Sequence, residues 1–277
     1  MLKYGSNESD SASEGHTGER NVALQNDIAR VSVRVMSDIR PASEALRDIV
    51  ARADPSFRIA ISDNICSKRP MVDEEGNTLS SEVFGFVSDE ERQWSEHRVA
   101  LSSPLLRACR YESEPFWANE EGFRTQQTNP YLEGIDLSNF DKRAMCHAAV
   151  VIPVHLPFGQ IGVAVIGSAR NLSDLSEVYE TYADAWGVCV HRFLAGYVKL
   201  MRTRKWLPMD CQLTKREVEC LRWAAVGKTD KEISLILARS HATVRFHIQN
   251  AGEKLDAVNR SQTIFKAAQL GYLGLAA

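Results

Sequence analysis

No apolar run in this chain approaches the 18 or more residues that a membrane-crossing helix needs, so a helical membrane protein is excluded. Cysteine pairs are missing as well. The six cysteines (Cys66, Cys109, Cys146, Cys189, Cys211 and Cys220) include no C-x-x-C, which argues against a zinc ribbon and against a disulfide framework. They read as free thiols in a reducing compartment, with a redox-sensing thiol as the other reading. G-x-S-x-G, H-E-x-x-H and Walker sequences are all absent, and Gly159-x-x-Gly162 is too short for a phosphate loop. His147 and His155 fall on one strand eight residues apart, about 26 Å at strand rise, too far to share a metal. No enzyme, metal or cofactor is therefore expected. The opening Met1–Arg20 has no apolar core of the secretory kind, so a cytoplasmic protein is expected.

What is present is an ordinary globular composition, 44% hydrophobic and 25% charged, enough to bury a core. The formal charge of −3 conceals a division. Met209–Ala277 holds ten basic and seven acidic residues, net +3, against 23 basic and 29 acidic before it, net −6. A basic C-terminal unit on an acidic body fits an anion-binding module attached to something that does not touch the anion.

The Ser-, Glu- and Gly-rich residues 1–20 are expected to be disordered, and the extension up to 36 weakly ordered, with a short helix within Val22–Val35. Met36 is a second candidate start. A helix follows from Ser37 or Asp38 to about Ala53. Residues 56–62 and 82–87 alternate as strands do, and helical stretches are expected near 88–98 and 103–112. The strongest β signal is His147–Ser168, where two β-branched runs flank Pro157-Phe158-Gly159-Gln160. Both arms are apolar on both faces, which predicts a hairpin inside a sheet covered on each side. After Ser173 an amphipathic helix of some 28 residues is expected, ending by Pro208.

From Leu213 onward four capped helices are legible. Thr214 with Glu217 and Thr229 with Glu232 form capping boxes, and Asn259 with Gln262 caps the last helix. Gly227 and Gly271 are natural stops. Two short helices joined by a tight turn are the geometry that seats the second in a DNA major groove. Helix starts near Lys228, Thr229, Lys231, Ser240 and Thr243 suit phosphates. Arg245 and Gln249 lie four apart on one face, and their side chains suit guanine and adenine edges.

Residues 213–273, LTKREVECLRWAAVGKTDKEISLILARSHATVRFHIQNAGEKLDAVNRSQTIFKAAQLGYL, resemble the LuxR-type helix-turn-helix throughout: the opening LTxRE, GKTxKEI, TVRxH and KLxVxNRxQ all match. The resemblance implies that Arg245 and Gln249 read bases, that Thr243 and the second helix start hold backbone, and that His247 belongs to the same face or supports the fold. A phosphoreceiver in front of this head would need βα alternation and an early acidic cluster, neither of which is found. Over roughly Asp89–Leu200 the chain instead resembles the autoinducer-binding domain. The matching features are Trp94-Ser-Glu-His, Ser103-Pro104-Leu-Leu, Glu114-Pro-Phe-Trp117, the Pro-containing hairpin and the long helix. Where that family carries an Asp that accepts an acyl-homoserine lactone amide stands Ser103, and a frequent strand Ser is Val165. Trp94, Phe116, Trp117, Phe123 and Tyr131 offer material for an apolar pocket.

The expected architecture is thus an α/β sensor domain, an α/β/α sandwich with an antiparallel sheet (37–203), then a linker (204–211) and an all-α four-helix LuxR-type helix-turn-helix domain (212–277). The implied protein is a ligand-responsive regulator binding double-stranded DNA as a homodimer, with RNA polymerase as a partner if it activates. Its effector is an acyl-homoserine lactone or a different small molecule. The competing reading is a constitutive DNA-binding regulator whose front domain only dimerises or binds a protein partner.

Overall fold

The computed structural model describes residues 21–67, 69–85, 102–170, 172–201 and 211–274. The expected disorder over 1–20, the helix near 88–98 and the 204–211 linker (but for Cys211) fall outside these residues. The chain divides into two compact units, one ending at Met201 and one carrying the C-terminal helices.

The first unit is an α/β fold around a five-stranded antiparallel sheet. Its strands are β1 (Phe57–Ser62), β2 (Phe116–Asn119), β3 (Gly122–Arg124), β4 (Ala148–Leu156) and β5 (Gln160–Ser168), in the order β1-β5-β4-β2-β3. The helices are α1 (21–30), α2 (Ile39–Ala51), α3 (Leu79–Glu82), α4 (Pro104–Ala108), α5 (Phe140–Ala144) and α6 (Ser176–Met201). The hairpin signal is realised as β4 and β5, joined by a turn at Pro157–Gly159 in which Phe158 and Gly159 take φ of 70° and 73°. Both arms are buried along most of their length, because helices cover the sheet on each side.

Strand alternation divides the core in two. On one face Phe116, Ala118, Ala149, Val151, Val163 and Val165 pack with Leu105, Leu106 and Phe140 from α4 and α5. On the other, Phe57 meets the edge of Trp186 on α6 at 6.1 Å, and α2 packs on β1 and α6. Each fully buried large apolar side chain in these layers contributes about 1.5–3 kcal/mol.

Three local expectations needed tertiary correction. Residues 82–87 were expected as a strand, of which 86–87 lie outside the described residues. Instead α3 ends there, Val83 and Phe84 are consecutively buried, and Gly85 turns the chain at φ 74°. Residues 21–35 are not a loose extension. Asp27 receives a bidentate Arg52 at 2.7 and 2.8 Å, and Val31 and Val33 are buried. Gly196 permits this: a Cβ there would lie 2.5 Å from the Val33 carbonyl oxygen, so only glycine lets that backbone lie on α6. Asp38 does not cap α2 with its side chain; its carboxylate turns back to accept the Arg34 and Val35 amides. The hairpin of β2 and β3 had no sequence expectation, since strands of four and three residues carry too little alternation to read.

The second unit comprises α7 (Lys215–Ala225), α8 (Asp230–Ile236), α9 (His241–Lys254) and α10 (Arg260–Gln269). Cys220, Leu221, Ile233, Val244, Ile248 and Ala251 form its centre.

Candidate nucleic-acid interface and sensor core

The capping boxes read from sequence set the geometry of the second unit. Thr214 accepts the Glu217 amide while the Glu217 carboxylate accepts the Thr214 amide at 2.7 Å. Thr229 and Glu232 repeat the arrangement at the start of α8. Gly227, at φ 89°, ends α7 as expected of a C′ residue. Ala238 takes φ 50° in the short turn, and Ser240 caps α9 by accepting the Thr243 amide at 3.0 Å. The Ser240 and Thr243 hydroxyls also bond each other at 2.8 Å.

Between these caps, Val244, Ile248 and Ala251 turn inward on α9. That leaves Arg245 and Gln249 exposed on the opposite face, as the periodicity requires. Gln249 donates to Glu253 at 3.3 Å, which leaves its amide oxygen free of that bond. His247 is half-buried and meets the Phe246 ring edge-on at 5.9 Å. Phe246 itself, 59% exposed beside Arg245, had no role in the sequence reading. The missed signal was a large aromatic on the polar face of a helix, where packing does not call for one.

At the start of α8, Thr229 and Lys231 are exposed and Lys228 is half-buried, its ammonium 3.7 Å from Glu232. The Arg260 guanidinium holds this corner from α10, donating to the Lys228 carbonyl at 2.8 Å and to the Asp230 carboxylate. The corner thus gathers the Lys228 and Lys231 ammonium groups beside Thr229, whose amide and hydroxyl both donate to the Glu232 carboxylate at 2.8 Å.

The sensor-type residues separate. Phe116 and Val165 share the sheet face with α4 and α5, and Phe123 meets Phe116 edge-on at 5.9 Å. Trp117, one residue on, points to the opposite face, where its ring lies 5.8 Å from the Arg124 guanidinium. The two aromatics cannot line one pocket on one face. Tyr131 is 71% exposed and stacks on Tyr111, away from that core. Ser103 is fully buried, but as the N-cap of α4: its hydroxyl accepts the Leu106 amide at 3.5 Å. Trp94 lies outside the described residues.

Three of the thiols are quiet. Burial pushes Cys109 and Cys146 up to about 12 and Cys189 to about 11, so these stay protonated and unreactive. No group of three or more metal-ligating side chains occurs among the described residues. His155 is engaged with the Cys109 and Glu112 carbonyls, and His147 lies 3.8 Å from Asp141. No described helix is long and apolar enough to cross a membrane.

Four capped helices, the second and third joined by a tight turn with the third presenting a polar face, define a helix-turn-helix domain. Residues 211–267 match the family of bacterial regulatory proteins named for luxR, so the C-terminal unit is a LuxR-family helix-turn-helix. The quorum sensing-dependent transcriptional regulator RpaR of Rhodopseudomonas palustris is 36% identical over 124 residues, 45% of this chain and 48% of RpaR. The chain thus spans about half the length of that relative. The transcriptional activator PhzR of Pseudomonas fluorescens is 28% identical over 183 residues, 66% of this chain and 71% of PhzR. The crystal structure of Escherichia coli SdiA aligns over 84% of this chain and 92% of its own, with 20% identity and a TM-score of 0.41.

Proposed function

We propose that the chain is a ligand-responsive transcription regulator that binds specific double-stranded DNA, as a homodimer, through its LuxR-type helix-turn-helix. One observation carries this reading: α9 exposes Arg245, Phe246 and Gln249 together, while the α8 corner exposes Thr229 and Lys231 with Lys228 half-buried beside them. Arg can bond guanine O6 and N7, Gln can bond adenine N6 and N7, and Phe can contact a thymine methyl. Lys231, Thr229, Lys228, Ser240 and Thr243 supply register without sequence information. His247 holds the Phe246 ring.

The relatives named as a quorum sensing-dependent regulator and a transcriptional activator support a transcription regulator; in this reading it has no catalytic role and acts on DNA in the cytoplasm. An activator of this kind would take RNA polymerase as a further partner. The sensor core on the Phe116–Val165 face is the place for a small apolar effector, with Trp94 as a further candidate wall. Trp117 and Tyr131 drop out of that wall. Ser103 retains one hydroxyl proton to donate but no carboxylate, so an acyl-homoserine lactone amide would find no charge-assisted acceptor at that position.

Footprinting of an operator selected from random DNA, with protein purified in the presence and absence of producing-cell extract, tests the reading. Extract-dependent protection is expected. Equal protection under both conditions would leave a constitutive regulator, and no protected sequence at all would remove the DNA-binding function.

A further inference from the structure

Lys266, on α10, is a buried cation with no part in the exposed face of α9. It is 5% exposed and directs its ammonium into the end of α9, donating to the Leu255 carbonyl at 3.0 Å and the Asp256 carbonyl at 2.6 Å. No carboxylate pairs with it among the described residues. A buried cation without a counter-charge needs oriented dipoles in place of water, and the negative end of a helix supplies them. The helix does not need this lysine in order to stop. Asp256 already turns the chain at φ 50°, its amide bonds the Glu253 carbonyl at 3.1 Å, and the Ala257 amide reaches the Gly252 carbonyl at 2.8 Å. What the ammonium adds is a tie between two helices. α10 is also seated closely on the same stretch of α9: a Cβ at Gly252 would lie 3.1 Å from the hydroxyl oxygen of Thr263, itself 2% exposed.

We infer that Lys266 is a positioning residue for base reading, which fixes α9 along and about its own axis without touching DNA. The apolar contacts of Val244, Ile248 and Ala251 hold α9 in the unit but, being non-directional, do not by themselves fix one axial setting. Hydrogen bonds from a buried cation are directional and short. Arg245 and Gln249 stand ten and six residues before Leu255, roughly 15 and 9 Å along the axis at 1.5 Å per residue. A slide or rotation at the tied end is therefore carried to both. A binding constellation tolerates displacements of only about 0.5 Å, so loosening this end degrades discrimination before it degrades the fold. The charge lies inside the unit and cannot neutralise a phosphate, although composition counts it toward the basic balance of Met209–Ala277. The inference rests on the reading that Arg245 and Gln249 contact bases, and names what holds them in place.

Titration of the full chain on an operator selected from random DNA and on a scrambled duplex, at several salt concentrations and alongside thermal melting, tests it. Lys266→Met removes the ammonium and keeps an unbranched side chain. It is expected to stay folded and to lose operator-over-scrambled selectivity at least about fivefold, with the affinity for scrambled DNA and the salt slope of binding unchanged. Lys266→Arg restores a cationic donor and is expected to recover part of the selectivity. A folded Lys266→Met with wild-type selectivity, or a Lys266→Arg no better than it, would overturn the assignment. So would equal losses on both duplexes with the slope reduced by about one, the mark of a phosphate contact. If Lys266→Met does not fold, Lys266→Gln, a neutral donor of shorter reach, takes its place with the same outcomes. Wild-type protein without selectivity removes the base-reading proposal itself, whereas a selective wild type with an equally selective Lys266→Met removes only the role of Lys266.

Discussion

Lys254, at the last turn of the reading helix, places its ammonium 2.9 and 2.8 Å from the two carboxylate oxygens of Glu217, at the first turn of α7. Glu217 is 3% exposed. Burial works against its charge, but Lys254 and the Thr214 amide outweigh it and hold the carboxyl below the usual glutamate range. A single carboxylate thus caps one helix and anchors the end of another. Its folded pKa is depressed, so the stability it adds is present above the unfolded value and is lost as pH falls through the folded one. The melting temperature of the full chain should fall across that acidic window, and Glu217→Gln should flatten the fall. Lys254→Ala leaves the buried carboxylate without its cation. With the lysine partly solvated, the expected cost is about 1–3 kcal/mol in urea unfolding, below the cost of breaking a fully buried pair.

Arg245 and Lys231 should fail differently. Arg245→Ala is expected to lose about 1–3 kcal/mol on the preferred operator and to relax preference at one base pair. Lys231→Ala should weaken all sequences alike and reduce the salt slope of binding by about one. Titrations against an operator and a scrambled duplex at several salt concentrations separate the two; unchanged selectivity in Arg245→Ala removes that residue from base reading.

Phe246 should recognise a methyl group. Replacing thymines of the operator one at a time by uracil removes only that methyl, and one position is expected to lose affinity with wild-type protein. In Phe246→Ala the same replacement should cost nothing further. Equal losses in both proteins would assign the ring to packing against His247 alone.

Ser103 should behave as a cap. Ser103→Ala is expected to cost about 1 kcal/mol in unfolding. The variant should keep whatever thermal shift an effector gives the wild type. A variant of normal stability that no longer responds to effector would instead make the hydroxyl a ligand contact.

Burial also bears on oxidation. Cys109, Cys189 and Cys220 are buried while Cys66 is exposed, so a thiol reagent should modify Cys66 first in the folded chain, as mass mapping would read. Early modification at Cys109 would show that the core opens.

Sequence by itself determined whatever depends on neighbours within a turn. Thr214 with Glu217 and Thr229 with Glu232 cap their helices because the partners lie three residues apart, inside one helical turn. The exposure of Arg245 and Gln249 follows from the 3.6-residue period, and the β4–β5 hairpin from two β-branched runs around a turn. Tertiary structure alone decided the rest. Phe116 and not Trp117 goes to the face covered by α4 and α5 because Phe116 pairs in register with Val151, a relationship with no local signature. Gly85, and not alternation, decided 82–85, and Val33 found its place only through Gly196, distant in the chain. Lys254 and Glu217 are 37 residues apart, and only the packing of α7 on α9 joins them. Capping and periodicity act within a few residues and can be read along the chain. Register, face and long-range charge pairing depend on which surfaces meet, and burial decides that for the molecule as a whole.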